Sequence, residues 1–112
     1  MGDIAENDIL SLTTTVGSTD EALRLAQALI EHRLAACVQV EDGLRSHYRW
    51  QGQVRAEPET RLTLKSLPSQ LPAIQAFFAE QHPYELPQLL WQLMKASPAY
   101  AGWVRQEVAP QP

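Results

Sequence analysis

Two rhythms of apolar and polar positions alternate along this chain, and each change of rhythm marks an element. Ile9 to Val16 is apolar and threonine-rich, which predicts a buried strand that stops at Gly17-Ser18. Ser18 followed by Glu21 is a capping box, and behind it Ala22, Leu25, Ala26, Leu29 and Ile30 recur at helical spacing with Arg24, Gln27 and Glu31 opposite. The period returns to two at Cys37, where Ala36, Val38 and Val40 share one face and Cys37, Gln39 and Glu41 the other.

Two turn signals follow, Asp42-Gly43 and Gln51-Gly52, with the aromatic-rich segment Leu44 to Trp50 between them. The pattern predicts one long strand bulged at Asp42-Gly43 and a reversal at Gln51-Gly52. The returning strand is clearest at Thr60 to Ser66, where Leu62 and Leu64 alternate with Arg61, Thr63 and Lys65, and Pro58 marks an edge or a break. Ser69 is the expected cap of the next helix, with Pro72 in its first turn and Leu71, Ile74, Phe77 and Phe78 on its apolar side. That helix should end at His82-Pro83. Gln88 to Met94 reads as a short apolar strand centred on Trp91, and Ser97-Pro98 opens a last helix through Tyr100, Trp103 and Val104.

The order β-α-β-β-α-β with an added C-terminal helix is the split βαβ arrangement of an α+β, ferredoxin-like sandwich. A single domain is expected over residues 8–108, with short polar tails at 1–7 and 109–112. The middle hairpin is too long for its sheet, so an edge carrying Tyr48, Trp50 and Val54 is left to pair with another chain. Self-association is the consequence.

Composition narrows the partners. With 112 residues, 45% of them hydrophobic and 20% charged, the chain can bury one core. A net charge of −4 supplies no electrostatic footprint for nucleic acid or an anionic membrane. No apolar run approaches membrane-spanning length, and Met1 to Asn7 is acidic rather than signal-like. The lone Cys37 cannot form an internal disulfide, which agrees with a reducing compartment, so a cytoplasmic protein is expected.

Candidate chemistry concentrates in His82-Pro83-Tyr84-Glu85-Leu86-Pro87, an imidazole, a phenol and a carboxylate in a turn stiffened by two prolines. His82 reads either as a corner residue bonded to backbone or as a metal contact, with Glu85 as a second ligand. Cys37 is a soft ligand by type, but its neighbours supply no cation or base to make a thiolate, and a small buried hydrophobe describes it better. There is no glycine-rich phosphate loop, nucleophile elbow or paired helical histidines. Tyr48, Arg49 and Trp50 could stack on a base, but no basic groove accompanies them.

Three blocks, in order and spacing, resemble the CutA divalent-cation-tolerance family: Glu31-His32-Arg33-Leu34-Ala35-Ala36-Cys37-Val38, Ser46-His47-Tyr48-Arg49-Trp50-Gln51-Gly52 and His82 to Pro87. The resemblance runs from Ile9 to Val104 and implies a ferredoxin-like fold, a trimer built by strand pairing across subunits, a shape similar to the PII signalling proteins, and metal tolerance with copper binding. Family members in which copper binds carry a cysteine near the end of the first strand and a second histidine just before the turn. Here those places hold Val16-Gly17 and Gln81, so a metal site would have to be completed across subunits. The resulting expectation is a non-enzymatic, cytoplasmic homotrimer binding a divalent metal ion, copper among them. The alternatives are a PII-like module binding an anion or nucleotide in an interface pocket of Tyr84, Lys65 and Arg61, and a small acid-base enzyme using His82, Tyr84 and Glu85.

Overall fold

The structure, a computed structural model, describes residues 6–108. The expected tails, apart from residues 6 and 7, lie outside that range. Four strands form one antiparallel sheet in the order β2-β3-β1-β4, with β1 over Asp8–Val16, β2 over Cys37–Trp50, β3 over Gln53–Ser66 and β4 over Leu90–Lys95. Helices α1 (Thr19–Glu31) and α2 (Leu71–Gln81) connect them in the split βαβ manner, and α3 (Pro98–Glu107) closes the chain. This is the mixed α+β, ferredoxin-like arrangement read from the sequence.

β1 lies inside the sheet, between β3 and β4, and is buried on both faces, the apolar one carrying Leu10, Leu12 and Val16 and the other Ile9 with Ser11 and Thr15. Leu10, Leu12 and Val16 join Leu25 and Leu29 of α1, Leu62 and Leu64 of β3, and Ile74 and Phe78 of α2 in the main core. On the other face Ile9 packs with Ala101, Val104 and Val108, so the last helix covers a second, smaller cluster.

The Ser18 half of the box forms, its hydroxyl accepting from the Glu21 amide at 3.2 Å, while the Glu21 carboxylate turns to Arg24. α2 starts differently from expectation. A 3₁₀ turn at Pro68–Gln70 precedes it, Ser69 lies inside that turn, and Gln70 at the N-cap makes no side-chain cap bond. Proline at both Pro68 and Pro72 presets the backbone and removes amides that would otherwise need a cap.

The hairpin forms as read. Trp50 pairs with Gln53 across a two-residue loop in which Gln51 (φ 50°) and Gly52 (φ 78°) are both left-handed, the type I′ geometry that matches strand twist. The register slips between Glu41 and Leu44, where Gly43 has φ 82°. Asp42 pins this bulge, accepting from Thr19 at 2.6 Å and Thr60 at 3.3 Å. Pro58 falls within β3 opposite Arg45, on the stretch of β3 beyond the end of β1, where its missing amide breaks no ladder. The ribbon carries the molecule to 44 × 32 × 24 Å and a radius of gyration of 15.0 Å, against about 13 Å for a compact chain of this length.

β4 begins at Leu90 rather than Gln88 and runs to Lys95, paired with β1 from Thr13 back to Asp8. The ladder stops at Thr13; Thr15, which would face Gln88, has its carbonyl bonded by the ring of His82. Every residue of β4 is exposed, including Leu90, Trp91, Leu93 and Met94.

Candidate functional site

The site lies where the ribbon meets the corner after α2. Prolines on both sides bias His82 and Leu86 away from helix, and His82, the C-cap of α2, has an extended backbone at ψ 132°. Arg24 of α1 fastens the approach by donating to the Gln81 side chain at 3.2 Å and to its carbonyl at 3.1 Å.

His82 is 9% exposed and both ring nitrogens are engaged. The Tyr84 amide donates to Nδ1 at 3.2 Å, so Nδ1 carries the lone pair and Nε2 the proton. Nε2–H points at the Thr15 carbonyl (3.1 Å) and the Thr14 hydroxyl oxygen (2.9 Å). Burial holds its pKa below the ordinary histidine value, with the Thr15 bond opposing. The geometry is that of a neutral imidazole tying strand to corner.

Tyr84 continues the chain of bonds onto the ribbon. Its hydroxyl donates to Glu59 Oε2 at 2.7 Å, while Ser46 donates to Glu59 Oε1 at 2.6 Å. One turn of the pleat away, Tyr48 donates to Glu57 Oε1. Burial, then the Glu59 bond and charge, push the Tyr84 pKa well up; the Glu57 bond raises that of Tyr48. Between ribbon and corner lies a groove of 670 Å³ walled by Tyr48, Trp50, Glu57, Glu59, Tyr84 and Leu86, with Arg55 and Glu85 on its lining.

The sequence-predicted residues separate into groups. Tyr84, Glu85, Tyr48 and Trp50 share the groove, and His82 stands behind its wall. Lys65 and Arg61 do not join Tyr84. Lys65 donates to Gln39 at 3.0 Å, opposite Cys37, and Arg61 pairs with Glu41 at 3.0 Å. Strand pairing gives both cations partners on β2, and within one chain they do not line a pocket with Tyr84. Cys37 is half-buried near Tyr100 of α3, at the other end of the sheet from His82. Val54 lies at the ribbon tip, 74% exposed. Among the described residues no three of His, Cys, Asp and Glu gather as a metal would need.

Ser46, Glu57 and Glu59 were missed from the sequence. Once the reversal at Gln51-Gly52 is fixed, alternation alone puts Ser46, Tyr48, Glu57 and Glu59 on one ribbon face, so that signal was present. The Tyr84–Glu59 contact, across 25 positions, left none.

The model of the CutA1 divalent ion tolerance protein family matches residues 10–107. The chain belongs to the CutA family. The Divalent-cation tolerance protein CutA of Thermus thermophilus is 37% identical over 93 residues, covering 82% of this chain and 90% of that one. Protein CutA of Mus musculus is 34% identical over 86 residues, covering 76% of this chain and 49% of the mouse protein, so the chain spans about half the length of that relative. Among solved structures, CutA from Synechococcus elongatus superposes with a TM-score of 0.86 at 41% identity, covering 92% of each chain. CutA proteins are named for divalent-ion tolerance, and a metal-tolerance role follows for this chain. The Arabidopsis thaliana relative is named chloroplastic, and a CutA structure from Archaeoglobus fulgidus is titled periplasmic. No described helix here is long and apolar enough to cross a membrane.

Proposed function

We propose that this CutA chain works in metal tolerance as a non-catalytic homotrimer that binds divalent cations, copper among them. The observation that carries the reading is family membership over nearly the whole described chain. Assembly is supported by a sheet whose two outer strands, β2 and β4, keep open edges, one on an overlong ribbon and the other lined by exposed Leu90, Trp91, Leu93 and Met94. The cytoplasm is the proposed compartment, on the single unpaired Cys37.

A cation shared between copies needs side chains that face outward. Glu85 meets that requirement, being exposed at the corner. His82 would first have to release the Tyr84 amide, and Cys37 would have to be met from another subunit. Glu85 is therefore the leading contact, with His82 fixing the turn that presents it. Within one chain, the anion or nucleotide alternative loses Arg61 and Lys65 to Glu41 and Gln39. Acid-base chemistry has less support, since the imidazole is bound to backbone and the Tyr84 phenol holds its proton tightly.

The test is to titrate the protein with Cu(II), Zn(II) and a panel of nucleotides while following Tm, because a ligand of the native state raises stability with the logarithm of its concentration. Copper should raise Tm, Glu85→Gln should reduce the shift, and nucleotides should leave Tm unchanged. No shift with copper, or the same shift in Glu85→Gln and His82→Ala, removes the assigned contacts.

A further inference from the structure

The groove is far larger than a metal ion needs. Its 670 Å³ falls in the range of about 300–1,000 Å³ typical of sites for organic ligands. A bare ion would also require several ligands converging at fixed geometry, which the described residues do not provide.

Its walls differ in chemistry. Tyr48, Trp50 and Tyr84 contribute aromatic surface and Leu86 an apolar rim, while Glu57, Glu59 and Glu85 outnumber the single Arg55. Both oxygens of Glu59 accept hydroxyl bonds from within the chain. Glu57 accepts from Tyr48 through Oε1 only, and among the described residues no hydrogen bond or ion pair ends on its Oε2. A carboxylate with one oxygen held and the other open, beside aromatic faces, is complementary to a positive head on a flat apolar body.

We propose that this groove binds a small organic cation, an ammonium or guanidinium on a flat apolar body, with the head against Glu57 and the body against Tyr48 and Trp50. The pKa of Tyr48 is raised first by its bond to Glu57, and that of Tyr84 first by burial and then by its bond to Glu59 and that carboxylate's charge, so glutamate contributes at both hydroxyls. The reading goes beyond metal tolerance and does not depend on it.

Tryptamine and indole-3-propionate are matched probes, sharing ring and chain length but opposite in charge. Calorimetric titration of the full chain in EDTA, which removes metal from the outcome, should show tryptamine binding once per chain. Glu57→Gln keeps an acceptor for Tyr48 while deleting the charge, and should weaken tryptamine by about tenfold. Trp50→Ala, at the ribbon tip, should weaken it independently. Sedimentation of the same samples reports assembly separately. Equal affinity for the two probes, no tryptamine binding at millimolar concentration, or affinity unchanged in both variants overturns the proposal. A groove already filled by a basic side chain of a second copy would appear as the second of these outcomes.

Discussion

His82 shows how one side chain can be chemical in type and structural in use. Its ring ties the corner to the sheet: the Tyr84 amide sits on one nitrogen, and the end of β1, Thr14 and Thr15, on the other. The Tyr84 bond requires the neutral ring, because a proton on Nδ1 would face that N–H donor, whereas Nε2–H donates to Thr15 in either state. Glu21 and Glu59 act on the ring in the opposite direction, and desolvation outweighs them, so the native pKa is lowered. For a histidine with a depressed native value, the unfolded state binds more protons below its own pKa, and stability therefore falls as pH falls. The contribution should be intact above 6.5, the ordinary value, and be lost on acidification toward the native pKa. Thermal melts across that window should show the decline in the wild type and a flatter profile in His82→Asn. Equal slopes would mean the ring does not titrate with folding.

Glu59 and Tyr84 belong to this scale too. Neither residue type announces the bond in sequence. A glutamate on an exposed ribbon ordinarily faces water, and only the corner's return over β1 brings a tyrosine hydroxyl to it. Cys37 is half-buried, opposite Lys65 on β3 and near Tyr100 of α3.

At the scale of elements, the ribbon depends on two backbone positions. Gly43 and Gly52 both adopt positive φ, and a Cβ on either would meet nothing within 4 Å. Any cost of substitution is therefore conformational rather than steric crowding by neighbours. Gly52→Ala should destabilise the protein by about 1–2 kcal/mol, the left-handed penalty for a residue with a Cβ, whereas Gly52→Asn should cost less because Asn tolerates that region. Urea unfolding of the two variants against wild type checks the order. A reversed order would place the constraint elsewhere than in the φ of the I′ turn.

Elements built from local pattern were legible: the Ser18 cap, the buried alternation of β3, the hairpin reversal and the Asp42-Gly43 bulge all carry their cause within a few residues. The starts of α2 and β4 were not. Ser69 is a good cap by type, but two flanking prolines imposed a 3₁₀ turn that moved the helix start past it. Gln88 continues an apolar run, but Thr15, which it would face on β1, has its carbonyl bonded by the ring of His82.

For the whole molecule, the open question of edges dominates. Two faces of the sheet are covered, one by α1 and α2 and part of the other by α3, while both edges remain bare. The exposed row on β4 is the stronger signal, since a six-residue strand with four large apolar side chains in water is unusual for a chain that stays alone. Sedimentation equilibrium is expected to give three times the chain mass at micromolar concentration, persisting on dilution and little affected by salt, as for an interface formed by backbone pairing and apolar burial. A stable monomer under those conditions would refute the trimer while leaving the fold intact.

The sequence by itself determined the element order, the ferredoxin-like class, the ribbon and the family, because periodicity, caps and turn residues act over spans of a few positions and survive in any context. Tertiary structure alone decided which charges meet. Pairing of β2 with β3 took Arg61 and Lys65 to Glu41 and Gln39, and return of the corner over β1 set Tyr84 on Glu59. Side-chain partners are fixed by distances through space, and residues dozens of positions apart carry no local record of becoming neighbours.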